Sequence, residues 1–341
     1  MLLENLQNDI CHGLRLSRGE ALRLLNENDP CDLWAMAGRL RVAFHGRNIE
    51  MCAILNARCG RCSEDCRWCA QSRFYNTGVA TTPIVEAPQA LSAAQKAARN
   101  GVNRFALVTS GRKASPADIE HLCAIYRQMR EQNPGLRFCA SLGLLARSEL
   151  EALAQSGVSR YHCNLESAPS FFPRLCTTHT PREKMETLRH ARETGMSLCS
   201  GGIIGLGEGF PERVEMAIAL RKLQVDSIPI NVLFPIKGTP LESMPPLPPE
   251  EVLTSVALFV ILHPEATVRL AGGRILFEAL MPRLLRAGVS SLIVGDMLTT
   301  EGPSIERDKA LFAREGLALP VHQLRLLSLR TPHYDRHGSS C

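Results

Sequence analysis

The sequence predicts an α/β protein: a (β/α)8 TIM-type barrel behind a helical N-terminal extension. Three observations carry that expectation. The chain has 341 residues, enough for one large barrel or two ordinary domains with a substantial core. From residue 51 onward, eight short apolar runs alternate with helical patterns, the rhythm of a parallel sheet closed by crossover helices. A loop dense in cysteine and charge follows the first run, at the end of a barrel where the βα-loops carry chemistry.

Residues 1–48 read as the extension. Apolar residues three and four apart give helices over Gly19–Leu25 and Leu33–Phe44, and Asp29-Pro30 is a start signal between them. The barrel is expected over 49–318. Its strands fall at Met51–Leu55, Arg104–Thr109, Leu136–Leu142, Ser159–Leu165, Met196–Ile204, Ser227–Leu233, Thr267–Leu270 and Ser290–Val294. The helices between them fall at about 89–100, 116–132, 146–156, 181–194, 210–223, 248–261 and 276–287. After Gly295 come Thr299-Thr300-Glu301-Gly302 and a short helix near 304–315. Residues 319–341 mix Pro, His, Arg and Ser without periodicity, so a disordered tail is expected there.

Composition narrows the function classes. Hydrophobic residues make up 45% and charged residues 21%, which is globular. The first residues show no basic and apolar secretory pattern, and no apolar run reaches the roughly 18 residues of a membrane span. Thirteen cysteines then fit a reducing cytoplasm with thiols used for metal better than a disulfide scaffold. The net charge of +5 is dispersed and only 5% of residues are aromatic, so nucleic-acid binding finds no support.

The most informative stretch runs from Ile54 to Ser72. Cys62, Cys66 and Cys69 are spaced C-x3-C-x2-C, close enough for three thiolates to face one inorganic cluster. Three thiolates leave one iron of a [4Fe–4S] cube open to another ligand. Adding Cys59 gives C-x2-C-x3-C-x2-C, which leaves a four-thiolate zinc knuckle open, although structural zinc pairs are usually a dozen or more residues apart. Inside the strands, Cys139, Cys199 and Arg269 interrupt apolar runs. A strand cysteine alone reads as core. A strand arginine does not, because its buried charge requires a partner or an anionic ligand.

The cysteine loop resembles that of the radical S-adenosylmethionine (SAM) enzymes, with Trp68 where they usually carry an aromatic residue. Over roughly residues 45–318 the chain resembles the biotin synthase family. The motifs that carry this are Tyr161-His162-Cys163-Asn164-Leu165-Glu166-Ser167, Cys199-Ser200-Gly201-Gly202-Ile203-Ile204-Gly205-Leu206-Gly207-Glu208, Ser227-Ile228-Pro229-Ile230-Asn231, Gly238-Thr239-Pro240-Leu241 and Val268-Arg269-Leu270.

The resemblance implies sulfur insertion into dethiobiotin by an enzyme whose [4Fe–4S] cluster sits on Cys62, Cys66 and Cys69 and binds SAM at the open iron. It implies SAM contacts from Trp68, Asn164, Glu166 and Lys184, and a polar catalytic pocket of Asn164, Glu166 and Asn231. Glu166 stands where aspartate is more usual, and Lys184 where arginine is common. It further implies an auxiliary sulfur-donating cluster, usually [2Fe–2S], on three cysteines and an arginine. Cys139, Cys199 and Arg269 match three of these positions, but the third cysteine falls on Ala106. Relatives, largely from anaerobes, that lack this cysteine are thought to use a different auxiliary cluster. Strand alternation turns Cys163 toward the helices, and Cys59 lies nearer the first cluster, so no replacement is evident. A flavodoxin- or ferredoxin-type electron donor, a homodimer and a cytoplasmic location are also implied. A radical SAM paralogue without sulfur insertion, acting in a rearrangement or in metallocofactor maturation, stays open.

Overall fold

The structure, a computed structural model, describes residues 3–295, 298 and 304–320. The expected tail lies outside the described residues from 321 onward, as does the segment 299–302.

Three helices lead the chain: α1 (Leu3–Cys11), α2 (Arg18–Glu27) and α3 (Pro30–His45). The start signals act as expected. Ser17 and Glu20 close a capping box on α2, and the Asp29 side chain accepts from the Cys31 N–H at 2.7 Å with Pro30 in the first turn of α3. The extension covers α9 (Pro249–Leu262), in which every residue from Val252 to Leu262 is buried. Helix α9 is apolar on all sides because α3 packs on the face a barrel helix would normally turn to water. The Trp34 indole N–H donates to the Thr254 hydroxyl across that contact at 3.1 Å.

The barrel strands are β1 (Glu50–Arg58), β2 (Arg104–Thr109), β3 (Arg137–Ser141), β4 (Val158–His162), β5 (Ser197–Cys199), β6 (Gly202–Ile204), β7 (Ser227–Val232), β8 (Thr267–Leu270) and β9 (Ser291–Ile293). All pairings among them are parallel, β1 pairs with both β2 and β9, and β5 pairs with β7, so the sheet closes. Between the strands lie α4 (Ala87–Arg99), α5 (Pro116–Gln132), α6 (Arg147–Gln155), α7 (Pro181–Glu193), α8 (Phe210–Lys222) and α10 (Met281–Arg286), with α11 (Ile305–Arg314) after the last strand.

Three elements differ from the expectation for local reasons. The fifth strand is split into β5 and β6 at Ser200-Gly201. A Cβ on Gly201 would lie 1.9 Å from the Pro229 carbonyl oxygen, so β7 presses against backbone where a side chain would stand. The fourth strand stops at His162 rather than Leu165, because the chain turns inward and Glu166 takes a left-handed φ of 70°. The last crossover helix is a 3-10 segment, Arg274–Leu280, followed by the short α10.

Candidate active site: two thiol-lined cavities

Two cavities occupy the barrel mouth and interior. The rim cavity, about 200 Å³, is bordered by Cys62, Cys66 and Cys69 together with Trp68, Asn164, Glu166 and Lys184. The interior cavity, about 350 Å³, is bordered by Cys139, Cys199, Arg269, Asn164, Glu166 and Asn231. Every residue singled out in the sequence for the site therefore borders one cavity or both. Cys59 borders neither; it lines a separate surface hollow and forms an isolated bridge with Thr82.

The cysteine loop is fixed from two sides. Its ends are clipped by Cys62 N–H to the Gln71 carbonyl at 2.9 Å and by Arg73 N–H to the Cys62 carbonyl at 2.9 Å. Its middle is docked on the loop before α7, where the Asp65 carboxylate accepts from the backbone N–H groups of Thr177 at 2.9 Å and Thr178 at 3.2 Å. The Trp68 ring meets Phe172 edge-on at 6.3 Å, and the Lys184 ammonium sits 5.7 Å from the centre of the Phe172 ring.

The sulfurs of Cys62, Cys66 and Cys69 do not gather as they would around one ion. Among the described residues, the one group of three or more candidate ligands within 4.8 Å of one another is Cys66, Cys176 and His179. Tetrahedral zinc with Zn–S bonds of about 2.3 Å would draw its thiolates to within about 3.8 Å of one another. The wider set suits a multi-iron cluster, and with Cys59 apart the four-thiolate knuckle loses its geometry. Burial raises the Cys62 thiol and pushes the Cys69 thiol up to about 11, so a metal group held there would have to displace protons.

Cys176 was missed in the sequence, where it reads as one more buried thiol. Its sulfur lies 3.7 Å from that of Cys66 and 3.3 Å from His179 Nδ1, while His179 Nδ1 lies 2.7 Å from the Glu64 carboxylate. The hydrogen bond from the Cys66 thiol, aided by those of His179 and Thr178, outweighs burial and brings Cys176 down to about 4; the same bond and burial hold Cys66 well above the ordinary thiol range.

Deeper in the barrel, Cys199 Sγ lies 3.2 Å from His162 Nδ1 and 3.4 Å from an Arg269 guanidinium nitrogen. Burial works to raise the Cys199 thiol, but His162, Arg269 and Arg160 outweigh it and bring it to about 6. Arg269 also donates to the Ser291 hydroxyl at 3.0 Å. The Arg104 guanidinium, opposite Cys52 across β1 and β2, lies 3.9 Å from Cys139 Sγ. Arg160 donates to the Ser197 hydroxyl at 3.0 Å. Each of these three buried guanidiniums keeps one nitrogen without a partner: Arg104 Nε, Arg160 Nη1 and Arg269 Nη2. Unpartnered buried cationic donors beside thiols fit an anionic sulfur-ligated group.

The polar pocket between the cavities is built on backbone. The Gly201 N–H donates to Asn164 Oδ1 at 3.0 Å, and Asn164 Nδ2 donates to the Glu166 carboxylate at 3.3 Å. Glu166 bridges to β6, its own N–H on the Gly201 carbonyl at 3.1 Å and its carbonyl accepting from Ile203 at 2.8 Å. The expected strand parity is therefore not what aims Asn164 and Glu166 inward. A left-handed turn pinned by the split fifth strand does so. Asn231 is held at both ends of its amide, donating to the Gly202 carbonyl at 3.1 Å and accepting from the Gly272 N–H at 2.8 Å. Cys163 lies in the core and borders the rim cavity beside Lys184; its N–H donates to the Cys199 carbonyl at 3.1 Å, but it does not border the interior cavity that Cys139 and Cys199 line.

Residues 58–220 match the Radical SAM superfamily, and residues 229–318 match the Biotin and Thiamin Synthesis associated domain. The biotin synthase of Parabacteroides distasonis is 45% identical over 320 residues, covering 94% of this chain and 98% of its own. That of Clostridium perfringens is 40% identical over 306 residues, covering 90% and 95%. The fold is shared with a methylornithine synthase at a TM-score of 0.80 and 15% identity, over 93% of this chain and 97% of that one. Sequence likeness of this extent and a barrel holding thiols at both mouth and interior agree: the chain belongs to the biotin synthase family of radical SAM enzymes.

Proposed function

We propose that this chain converts dethiobiotin to biotin by radical SAM sulfur insertion. The observation that carries the reading is the meeting of the two cavities. Trp68, Ser141, His162, Asn164 and Glu166 border both, so a molecule lying against them is in reach of rim and interior alike. When bound, the [4Fe–4S] cluster and SAM supply a 5′-deoxyadenosyl radical that takes hydrogen from unactivated carbon, and the auxiliary cluster supplies sulfur.

In this reading Cys62, Cys66 and Cys69 hold the first cluster. Cys139 and Cys199, with Arg269 beside them, hold the second, as a [2Fe–2S] centre or as a variant imposed by Ala106. Trp68 and Lys184 flank the rim cavity as SAM contacts; burial works against the Lys184 charge, but Cys163 and Glu166 sustain it. Asn164 and Glu166 offer amide and carboxylate groups to hydroxyls and N–H groups of cofactor and substrate. Asn231, with both amide atoms already engaged by backbone, is held in place as one wall of the pocket. The apolar wall formed by Ile54, Ile203, Val232 and Leu233 suits the aliphatic part of dethiobiotin and keeps water from a reactive carbon.

A flavodoxin- or ferredoxin-type reductant, a homodimer and a cytoplasmic setting belong to the same reading. Among the described residues, no helix is long and apolar enough to cross a membrane. The test is an anaerobic assay for 5′-deoxyadenosine and biotin together. Formation of both supports sulfur insertion; SAM cleavage without biotin supports a paralogue of other activity.

A further inference from the structure

The second cluster as read above has two thiols where three are needed, and Ala106 cannot be the third. A thiol on the neighbouring strand fills the gap. Cys52 lies on β1, where Cys52 and Ile54 turn the same face to the interior cavity that Cys139 and Cys199 border. Ala106 pairs in register with Ile54 on one side and Cys139 on the other, so Cys52 is one pleat below the position the alanine leaves bare. Cys52 is 5% exposed.

Its surroundings are not those of a packing thiol. A cysteine kept for its volume sits among apolar side chains. Cys52 instead shares its cavity with two other thiols and Arg269, and stands in register with Arg104. Arg104, Arg160 and Arg269 bring three buried cations to this end of the barrel, and the nearby carboxylate, Glu50, is only partly buried and lies 3.9 Å from Arg104. Each guanidinium has a nitrogen without a hydrogen bond, that of Arg104 being the Nε that faces Glu50 at 3.9 Å. Three thiolates around an iron–sulfur core carry net negative charge, and such a group would take up both the excess cation and the free N–H donors.

We propose that Cys52 supplies the third thiolate of the interior iron–sulfur cluster, on β1 instead of β2, with Arg104 and Arg160 joining Arg269 as a cationic collar around it. The assignment rests on the sulfur-insertion reading of this cavity. It moves one ligand to the adjacent strand and one pleat deeper, which alters the outline of the cluster the site accepts.

The test is iron and acid-labile sulfide per chain, with Mössbauer spectra, on anaerobically reconstituted full-length protein. Cys52→Ala and the nearly isosteric Cys52→Ser are compared with the parent and with Cys123→Ser, a buried thiol on α5 away from both cavities. SAM cleavage at the rim reports that each variant is folded, and two substitutions leave one to decide if the other collapses. The expected result is loss of the second-site iron and sulfide in both Cys52 variants, with SAM cleavage kept, and no loss in Cys123→Ser. Parent-level second-site iron and unchanged spectra in a folded Cys52 variant would overturn the assignment while leaving sulfur insertion intact. A parent protein that binds only the rim cluster would instead overturn the two-cluster reading on which it rests.

Discussion

The rim and the interior of this barrel both gather thiols, but by opposite means. At the rim, three cysteines lie within eight residues of one another on a single loop, half-buried, and the fold's contribution is to dock that loop through Asp65 on Thr177 and Thr178. In the interior, Cys139 and Cys199 come from strands 56 residues apart at their nearest, fully buried among guanidiniums, and no local sequence pattern unites them. The first arrangement can bind and release a cofactor at an open mouth. The second, in the proposed reading, would hold a group that only the closed barrel can assemble, which would couple folding and cluster binding more tightly there.

The largest expected effect separates the two within the loop itself. Cys62→Ala, Cys66→Ala and Cys69→Ala should each abolish 5′-deoxyadenosine formation, whereas Cys59→Ala, outside both cavities, should keep it; chromatography of SAM cleavage products reads this directly. Equal loss in Cys59→Ala would return the four-thiolate site.

Next is the scaffold behind the rim. Glu208 accepts from the N–H groups of Gly205 at 2.9 Å and Leu206 at 2.7 Å, and is paired at 2.8 Å with Arg213, whose side chain is wholly buried. Arg213→Ala strands that carboxylate, and should lower stability by about 3–5 kcal/mol. Denaturant unfolding of the cluster-free chain measures it, and a change near zero would mean the pair does not hold the turn.

A third expectation concerns the proximity of Cys176 to the rim. With Cys66 and Cys176 sulfurs 3.7 Å apart, cluster-free protein exposed to oxidised glutathione should form a Cys66–Cys176 disulfide, each thiol losing a proton and an electron to the glutathione disulfide. Peptide mapping should find it at the rim and find the interior thiols free; a dominant interior disulfide would contradict the comparison.

The smallest effect is a control remote from both sites. Burial, opposed by the Ala217 carbonyl, lowers His263 to about 4. The folded state then binds fewer protons than the unfolded one between about pH 6.5 and 4. Its stability contribution is present above pH 6.5 and lost as pH falls, by about 3 kcal/mol in full. His263→Gln should flatten that slope in denaturant titrations at pH 7 and pH 5 without altering SAM cleavage at pH 7.

How much of this was legible in the sequence follows from the same contrast. The alternation of apolar runs and helical patterns gave the barrel because each period is local, whereas the division of the fifth run into two strands was not read, because it comes from the close approach of Pro229 on a neighbouring strand to Gly201. The rim thiols were legible from spacing alone. Arg269 was legible because a strand arginine demands a partner. Cys52 and Cys176 were not, since an isolated cysteine in a strand or loop looks like core until its neighbours from other strands are known. Glu166 reached its place by a left-handed turn, a conformation that no alternation of side chains announces.

Whether the two thiol sites have separable duties is tested most directly by Cys199→Ala. In one anaerobic reaction with SAM, dethiobiotin and reductant, 5′-deoxyadenosine and biotin are quantified for the parent and the variant. Cys199→Ala is expected to continue cleaving SAM and to make no biotin. Biotin formed at the parent rate would show that the interior thiols are packing and that the sulfur comes from elsewhere.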